Sequence, residues 1–443
     1  SWYASTPNIA QRPYVVRSRR TGFVVMPLQP RSRLLVLSCL FFVMIFGWKI
    51  TPLLDISILI CLPVYVYALF KPRDVPLLIS KSIWISAVII TLIAYNACLF
   101  LSNDPASTQW ILRTIRSAIS FGAVFIVIFE TRRASKKNYI QDTLLSLAFA
   151  ITMHAVIVNI SQLSEVFRAA LYTMTSAKMY VNEMTIAYDN RPLGLTYTLS
   201  ITSFLYFISI AIFTFHKSED KYHNLAKLIA IATNTIACVW TARTGLLFFP
   251  LTLIFIFQII RNASIKKMTG LFITVIIMVL ATILFTYFGP ISIEHQIRRV
   301  SELFTLFTSP SESTFFQQFV TMWHLPNDLG QLLFGNSLTG REEGHYVASD
   351  VGYILAIYGI GLVGQLLMLL PIVIAGFASF KLLKTKSEYG LLALVVLGSY
   401  LILNVKELAL MTRTVWPVIC VFISISILEY QAKRNRLHAS DSP

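Results

Sequence analysis

IWISAVIITLIAYNACLFL, residues 83–101, contains no charged side chain from end to end. As a helix it would reach roughly 28 Å, close to the thickness of a bilayer's hydrocarbon core. Comparable, mostly apolar runs recur on either side of it, at 34–50, 55–70, 110–129, 142–161, 194–215, 224–240, 245–260, 268–288, 360–380, 389–404 and 411–429. Composition agrees: 56% of the 443 residues are hydrophobic, 13% are charged, and the mean hydropathy is +0.68. Soluble domains carry about twice that charge. The sequence therefore predicts an all-α polytopic membrane protein of about 12 transmembrane helices. A single domain over 34–430 is expected between a basic N-terminal tail, 1–33, and a short C-terminal tail, 431–443. No internal repeat or low-complexity segment divides it.

Orientation follows from the basic residues, since positive loops stay cytoplasmic. With both termini inside, the inner segments carry most of the 37 Lys and Arg residues. Among these are Arg12, Arg17, Arg19, Arg20, Arg31 and Arg33 before the first span and Lys433, Arg434 and Arg436 after the last. The net charge of +16 is then a topology signal and an attraction to anionic lipid. The basic residues are dispersed and form no recognition motif, which argues against nucleic acid as a partner. No secretory signal is expected, because the Arg-rich 12–33 segment leads directly into the first span; residues 1–11 are given no functional weight. Cys39, Cys61, Cys98, Cys238 and Cys420 all fall in apolar runs without paired spacing, so they read as small core residues rather than as disulfides or metal ligands.

This topology leaves two long outer loops, about 162–193 and 289–359. Long loops in compact proteins usually carry function. In EHQIRRVSELFTLF (294–307), Ile297, Val300, Leu303, Phe304 and Phe307 recur at three- and four-residue steps, an amphipathic helix suited to the membrane surface. STFFQQFVTMWHL (313–325) is a second candidate, and LFGNSLTGREEGHYVASD reads as loop.

Charge at membrane depth is costly, so such residues tend to face a cavity, a partner or a substrate. Arg243 occupies a short outer turn, where it either snorkels to headgroups or meets a ligand. Arg191 closes the first long loop and has Asp189 as an alternative partner. Arg113 and Arg116 share a helix face at an outer end and repel one another unless an anion joins them; lipid phosphate would serve as well as a substrate. Lys406, Glu407 and Arg413 read as a self-satisfied cluster. In GHYVASDVGY (344–353), His345 and Asp350 stand just before an apolar run. Either could take a proton from a hydroxyl; equally, His345 could be a solvated loop residue, and Asp350 or Ser349 the cap of a helix starting at Val351. His154 reads as a satisfied core histidine. No carboxylate pair with metal-ligand spacing occurs in the outer loops, so neither a metal nor another cofactor is expected.

Taken in order, RPLGLT (191–196), ARTG (242–245), LLFGNS (332–337) and SDVGYILAIYGIGLVG (349–364) resemble the bacterial O-antigen polymerase family (Wzy) and the related O-antigen ligases. The likeness extends from about residue 140 to 380. It implies a fold like that of the C-type glycosyltransferases, in the bacterial inner membrane, with a periplasmic active site. The implied partners are an undecaprenyl-pyrophosphate-linked glycan donor, a glycan acceptor and membrane lipid, with a chain-length regulator protein as a further candidate. Residues expected to bind substrate are Arg191, Arg243, Arg113, Arg116, Arg298, Arg299, Arg341 and Tyr353; those expected to act in catalysis are His345 and Asp350. SDVGY is closer to the polymerase pattern, whereas TARTGLLFFP resembles the ligase. A lipid-linked oligosaccharide transporter would share the twelve-helix plan, but its two halves usually repeat, and here they do not.

Overall fold

The structure, a computed structural model, describes residues 30–48, 55–72, 74–103, 108–136, 138–174, 195–196, 199–216, 221–241, 320–338, 347, 349–385 and 387–440. The predicted spans at 245–260 and 268–288 and the amphipathic stretch 294–307 lie outside these residues. The long regular elements among the described residues are all helices. In hydrocarbon no water takes up backbone N–H and C=O groups, so the backbone must pair within itself. The helices are α1 (Pro30–Phe46), α2 (Ile56–Leu59), α3 (Cys61–Leu69), α4 (Val75–Ser102), α5 (Gln109–Ala134), α6 (Tyr139–Leu163), α7 (Glu165–Met174), α8 (Leu199–Phe215), α9 (Lys221–Thr241), α10 (Leu329–Phe334), α11 (Gly352–Lys384), α12 (Glu388–Lys406) and α13 (Val415–Ser440).

Six of these, α4, α5, α6, α11, α12 and α13, are long and apolar enough to cross a membrane; α1, the α2–α3 stretch, α8 and α9 contain shorter apolar helices. Two differences from the sequence reading stand out. α11 begins well before the run at 360–380, because Gly352 and Tyr353 already belong to it. The first long loop opens with α7, an amphipathic helix whose Arg168 pairs with Glu165 at 3.7 Å. Of the stretch 313–325, residues 320–325 leave the helix within one turn, where the Trp323 N–H bonds to the Val320 carbonyl at 3.2 Å.

Polar contacts sort the helix ends into two groups. At one end, Arg33 of α1 lies 3.9 Å from Asp142 of α6, while Tyr139 and Arg132 both meet Glu429 of α13. Lys71 and Arg133 share Glu130 there, and Arg133 also reaches Asp74. The first and last described helices thus have their outer tips at this terminal end. Gly47, Asp55, Trp110, Arg113, Arg116 and Arg413 lie at the opposite, distal end.

Between the ends the bundle is packed by buried aromatic and aliphatic side chains, with Phe204, Phe207, Tyr400, Trp416 and Phe422 all essentially inaccessible. Several buried Ser and Thr hydroxyls return to carbonyls four residues earlier, as Thr131 does to Val127 at 2.8 Å. His154 is fully buried and stacks on Phe46 with centroids 4.1 Å apart. Its Nε2 accepts the Leu195 N–H at 3.0 Å, so Nδ1 carries the proton toward the Tyr206 hydroxyl at 2.9 Å. The core-histidine reading holds. All five cysteines are free; Cys61, Cys238 and Cys420 are buried, but Cys39 and Cys98 are exposed on the helix surface instead of joining the core.

One spanning helix is broken. Within α11, Gly361 has φ 64° and ψ −179°, a conformation essentially reserved for glycine. The segment after α10 fills the gap: the Asn336 and Ser337 N–H groups donate to the carbonyls of Tyr358 and Gly359 at 2.9 and 2.8 Å. The Tyr95 hydroxyl lies 2.9 Å from the Ile360 carbonyl and 3.0 Å from that of Phe334. Acceptors freed by the break are thereby satisfied by neighbouring elements, as membrane depth requires.

Candidate functional site

The distal polar cluster is built from four separate segments. After α1 the chain turns at Gly47, where a Cβ would press on the Val43 carbonyl and the Ser57 amide, and the Ile56 N–H bonds back to the Trp48 carbonyl at 3.1 Å. That turn delivers Asp55, whose side chain is 1% exposed. One carboxylate oxygen, Oδ1, caps α2 by accepting the Ser57 N–H at 2.9 Å and the Ser57 hydroxyl at 2.6 Å. Capping fixes the rotamer and turns Oδ2 toward two arginines. Arg413 Nη1 is 3.3 Å from it and Arg116 Nε 3.9 Å. Arg413 also donates through Nη2 to the Gly47 carbonyl.

Arg413 reaches this place because the loop that carries it is clasped from beneath. Buried Asn404 accepts the Ala409 and Leu410 N–H groups on Oδ1 at 3.0 and 2.7 Å. The Tyr400 hydroxyl donates to the Ala409 carbonyl and accepts the Met411 N–H, both at 2.9 Å. At the start of α13, the Trp416 indole donates to the Ser117 carbonyl of α5 at 3.0 Å. These bonds tie the loop to the helix bearing Arg113 and Arg116.

Arg113 spreads over the Trp110 ring, 5.0 Å from its centroid. Trp110 is 1% exposed and donates to the Leu338 carbonyl at 3.0 Å, just beyond the segment that fills the α11 break. Its indole fills the space a Cβ on Gly359 would need. On the remaining side, Gly352 at the start of α11 packs against the backbone of Glu407 and Leu408, and the Tyr353 hydroxyl donates to the Leu401 carbonyl at 2.8 Å.

Arg113, Arg116 and Tyr353 therefore border one distal rim, with Asp350 exposed just before α11. The Tyr353 proton is committed to Leu401. Arg191, Arg243, Arg298, Arg299, Arg341 and His345 lie outside the described residues. Two expectations change in detail. The α11 cap position is Val351, without a side-chain cap; the Ser349 hydroxyl receives the Val351 N–H at 3.1 Å and donates to the Met322 carbonyl at 2.9 Å, while Asp350 does not cap. Arg413, which the sequence places beside Lys406 and Glu407, finds a carboxylate on Asp55, across the bundle.

Asp55 is the residue that sequence reasoning missed. A lone carboxylate at the edge of an apolar run was the available signal. It supplies an anion for Arg116. Among the described residues no three His, Cys, Asp or Glu side chains could together hold a metal ion. No protein-family model matches the chain, and no curated protein matches it.

Proposed function

We propose that this protein is a membrane-embedded glycosyltransferase. It would join repeat units of a surface polysaccharide carried on undecaprenyl pyrophosphate, at the outer face of a bacterial inner membrane, within a twelve-span fold like that of the C-type glycosyltransferases. The observation that carries the reading is the meeting of Arg113, Arg116 and Arg413 with the start of α11 at one rim of a membrane bundle. The order of the RPLGLT, ARTG, LLFGNS and SDVGY motifs adds to it.

The chemistry asks for what such a rim contains. An acceptor sugar hydroxyl attacks the anomeric carbon of the donor; the bond from that carbon to the diphosphate oxygen breaks, and the polyprenyl diphosphate leaves. Negative charge grows on the leaving oxygen, where guanidinium groups in a water-poor setting stabilise it. The hydroxyl proton passes to a nearby base, for which Asp350 and His345 are the candidates. Arg191 and Arg243 are assigned to the same diphosphate.

The test is replacement of Arg113, and separately of Arg243, by Ala in a host deleted for this gene, with lipopolysaccharide resolved on a gel. Loss of the ladder with a single repeat retained on the core indicates a polymerase. Loss of all polymer from the core with accumulation of lipid-linked chains indicates a ligase. A normal ladder from both variants overturns the site, and transport of lipid-linked sugars by the purified protein in proteoliposomes would replace the enzyme with a transporter.

A further inference from the structure

Among the described residues Arg116 pairs with Asp55 alone, which faces its Nε from 3.9 Å. That Nε is buried without a hydrogen-bond acceptor, whereas the two terminal nitrogens are not enclosed in the same way. The side chain is 21% exposed, against 10% for Arg413. Asp55 in turn is held by Ser57 on Oδ1 and faces Arg413 Nη1 across 3.3 Å on Oδ2, an ion pair without a hydrogen bond; Arg413 is itself held by the Gly47 carbonyl. The result is a relay from a fixed backbone carbonyl to a guanidinium whose outer edge has no ligand among the described residues.

Stability alone is a weak reason for such a relay. Withdrawing charges from water is costly, and a buried pair repays that only with close, complete hydrogen bonding. At 3.9 Å to Nε the Asp55–Arg116 approach is neither close nor complete. Its geometric effect is larger. A carboxylate facing Nε favours one orientation of the planar fork and leaves the terminal nitrogens for a bidentate phosphate contact.

We propose that Asp55 is a positioning residue. It orients Arg116 so that the terminal guanidinium nitrogens receive the diphosphate of a lipid-linked donor, with Arg413 locking Asp55 in place. This rests on the glycosyltransferase reading above and extends it to Asp55, with Arg413 acting through that carboxylate.

The sign of one measurement separates positioning from plain electrostatics. Removing a negative charge beside an anion site should tighten anion binding if only Coulomb forces act. Removing an orienting group should weaken it. Inorganic pyrophosphate is titrated calorimetrically into the full-length protein in detergent, comparing wild type with Asp55→Asn, which keeps an oxygen for Ser57 but loses the charge. Binding at least tenfold weaker in Asp55→Asn is expected. In the Arg116→Lys background the same substitution should have little further effect, because the fork it orients is gone. Should Asp55→Asn not fold, Ser57→Ala loosens the Oδ1 tether with the charges intact and is expected to weaken binding about threefold. Equal or tighter binding by Asp55→Asn, or an undiminished effect in the Arg116→Lys background, overturns the positioning role and leaves the proposed function standing. Absence of pyrophosphate binding by the wild type overturns both.

Discussion

Replacing Asn404 with Leu would remove the acceptor that gathers the 409–411 turn. Asn404 is fully buried, and its Oδ1 takes two backbone N–H groups, from Ala409 and Leu410. Leu fills a comparable space but accepts nothing, so both amides lose their partner in a site that excludes water. An orphaned buried amide costs roughly 1–3 kcal/mol, which sets the loss for two at about 2–6 kcal/mol before relaxation. Because the turn can shift toward the rim once released, about 3 kcal/mol is expected. Tyr400→Phe removes the hydroxyl that grips the same turn through Ala409 and Met411, and should cost about 2 kcal/mol. The two substitutions free one structural unit, so the double variant should fall short of their sum by at least about 0.5 kcal/mol. Unfolding by SDS in mixed micelles, followed by tryptophan fluorescence, is a suitable assay, since Trp416 lies just after the turn and is 1% exposed. An Asn404→Leu variant within about 0.5 kcal/mol of wild type, or strict additivity with Tyr400→Phe, would show that the clasp does not hold the Arg413 loop.

Two further outcomes are expected. Gly361→Ala should cost roughly 1–3 kcal/mol for its backbone conformation alone; because its Cβ would strike Leu333 of α10, amide exchange at Asn336 and Ser337 should accelerate more than exchange along α13. Partial burial lowers the Lys71 pKa, but the hydrogen bonds and charge of Glu130 and Tyr67 outweigh that and leave it raised above its ordinary value of 10.5. Its stabilising contribution is therefore full below that value and is lost as pH rises through the raised folded pKa. With the side chain 36% exposed the effect stays below about 1 kcal/mol; melting temperature measured from pH 9 to 12 should fall more for wild type than for Lys71→Met.

The membrane helices were legible because their signal is local: an apolar run such as 83–101 needs no tertiary information to be read as a span. His154 was legible for a related reason, since a lone histidine inside such a run has to be satisfied by its neighbours. The pairing of Arg116 with Asp55 was not, because it joins different helices through a cap whose geometry only the fold supplies. The break in α11 was equally hidden. GIG reads as ordinary small residues in a membrane helix until the segment around Asn336 is seen to provide the missing donors. Asp350 and Ser349 were equal candidates for the cap in sequence; the fold places the cap position at Val351 and leaves the Ser349 hydroxyl buried between Met322 and Val351, with Asp350 exposed.

The contact between Trp110 and Gly359 has a consequence for how this sequence can vary among relatives. Any side chain at 359 evicts the indole, which strands the Leu338 carbonyl and strips the flat support from Arg113; a smaller residue at 110 leaves a void that a bulkier 359 would fill. Positions so distant along the chain should thus drift as a couple, and a lineage that abandons one without the other would have to rebuild that corner of the molecule.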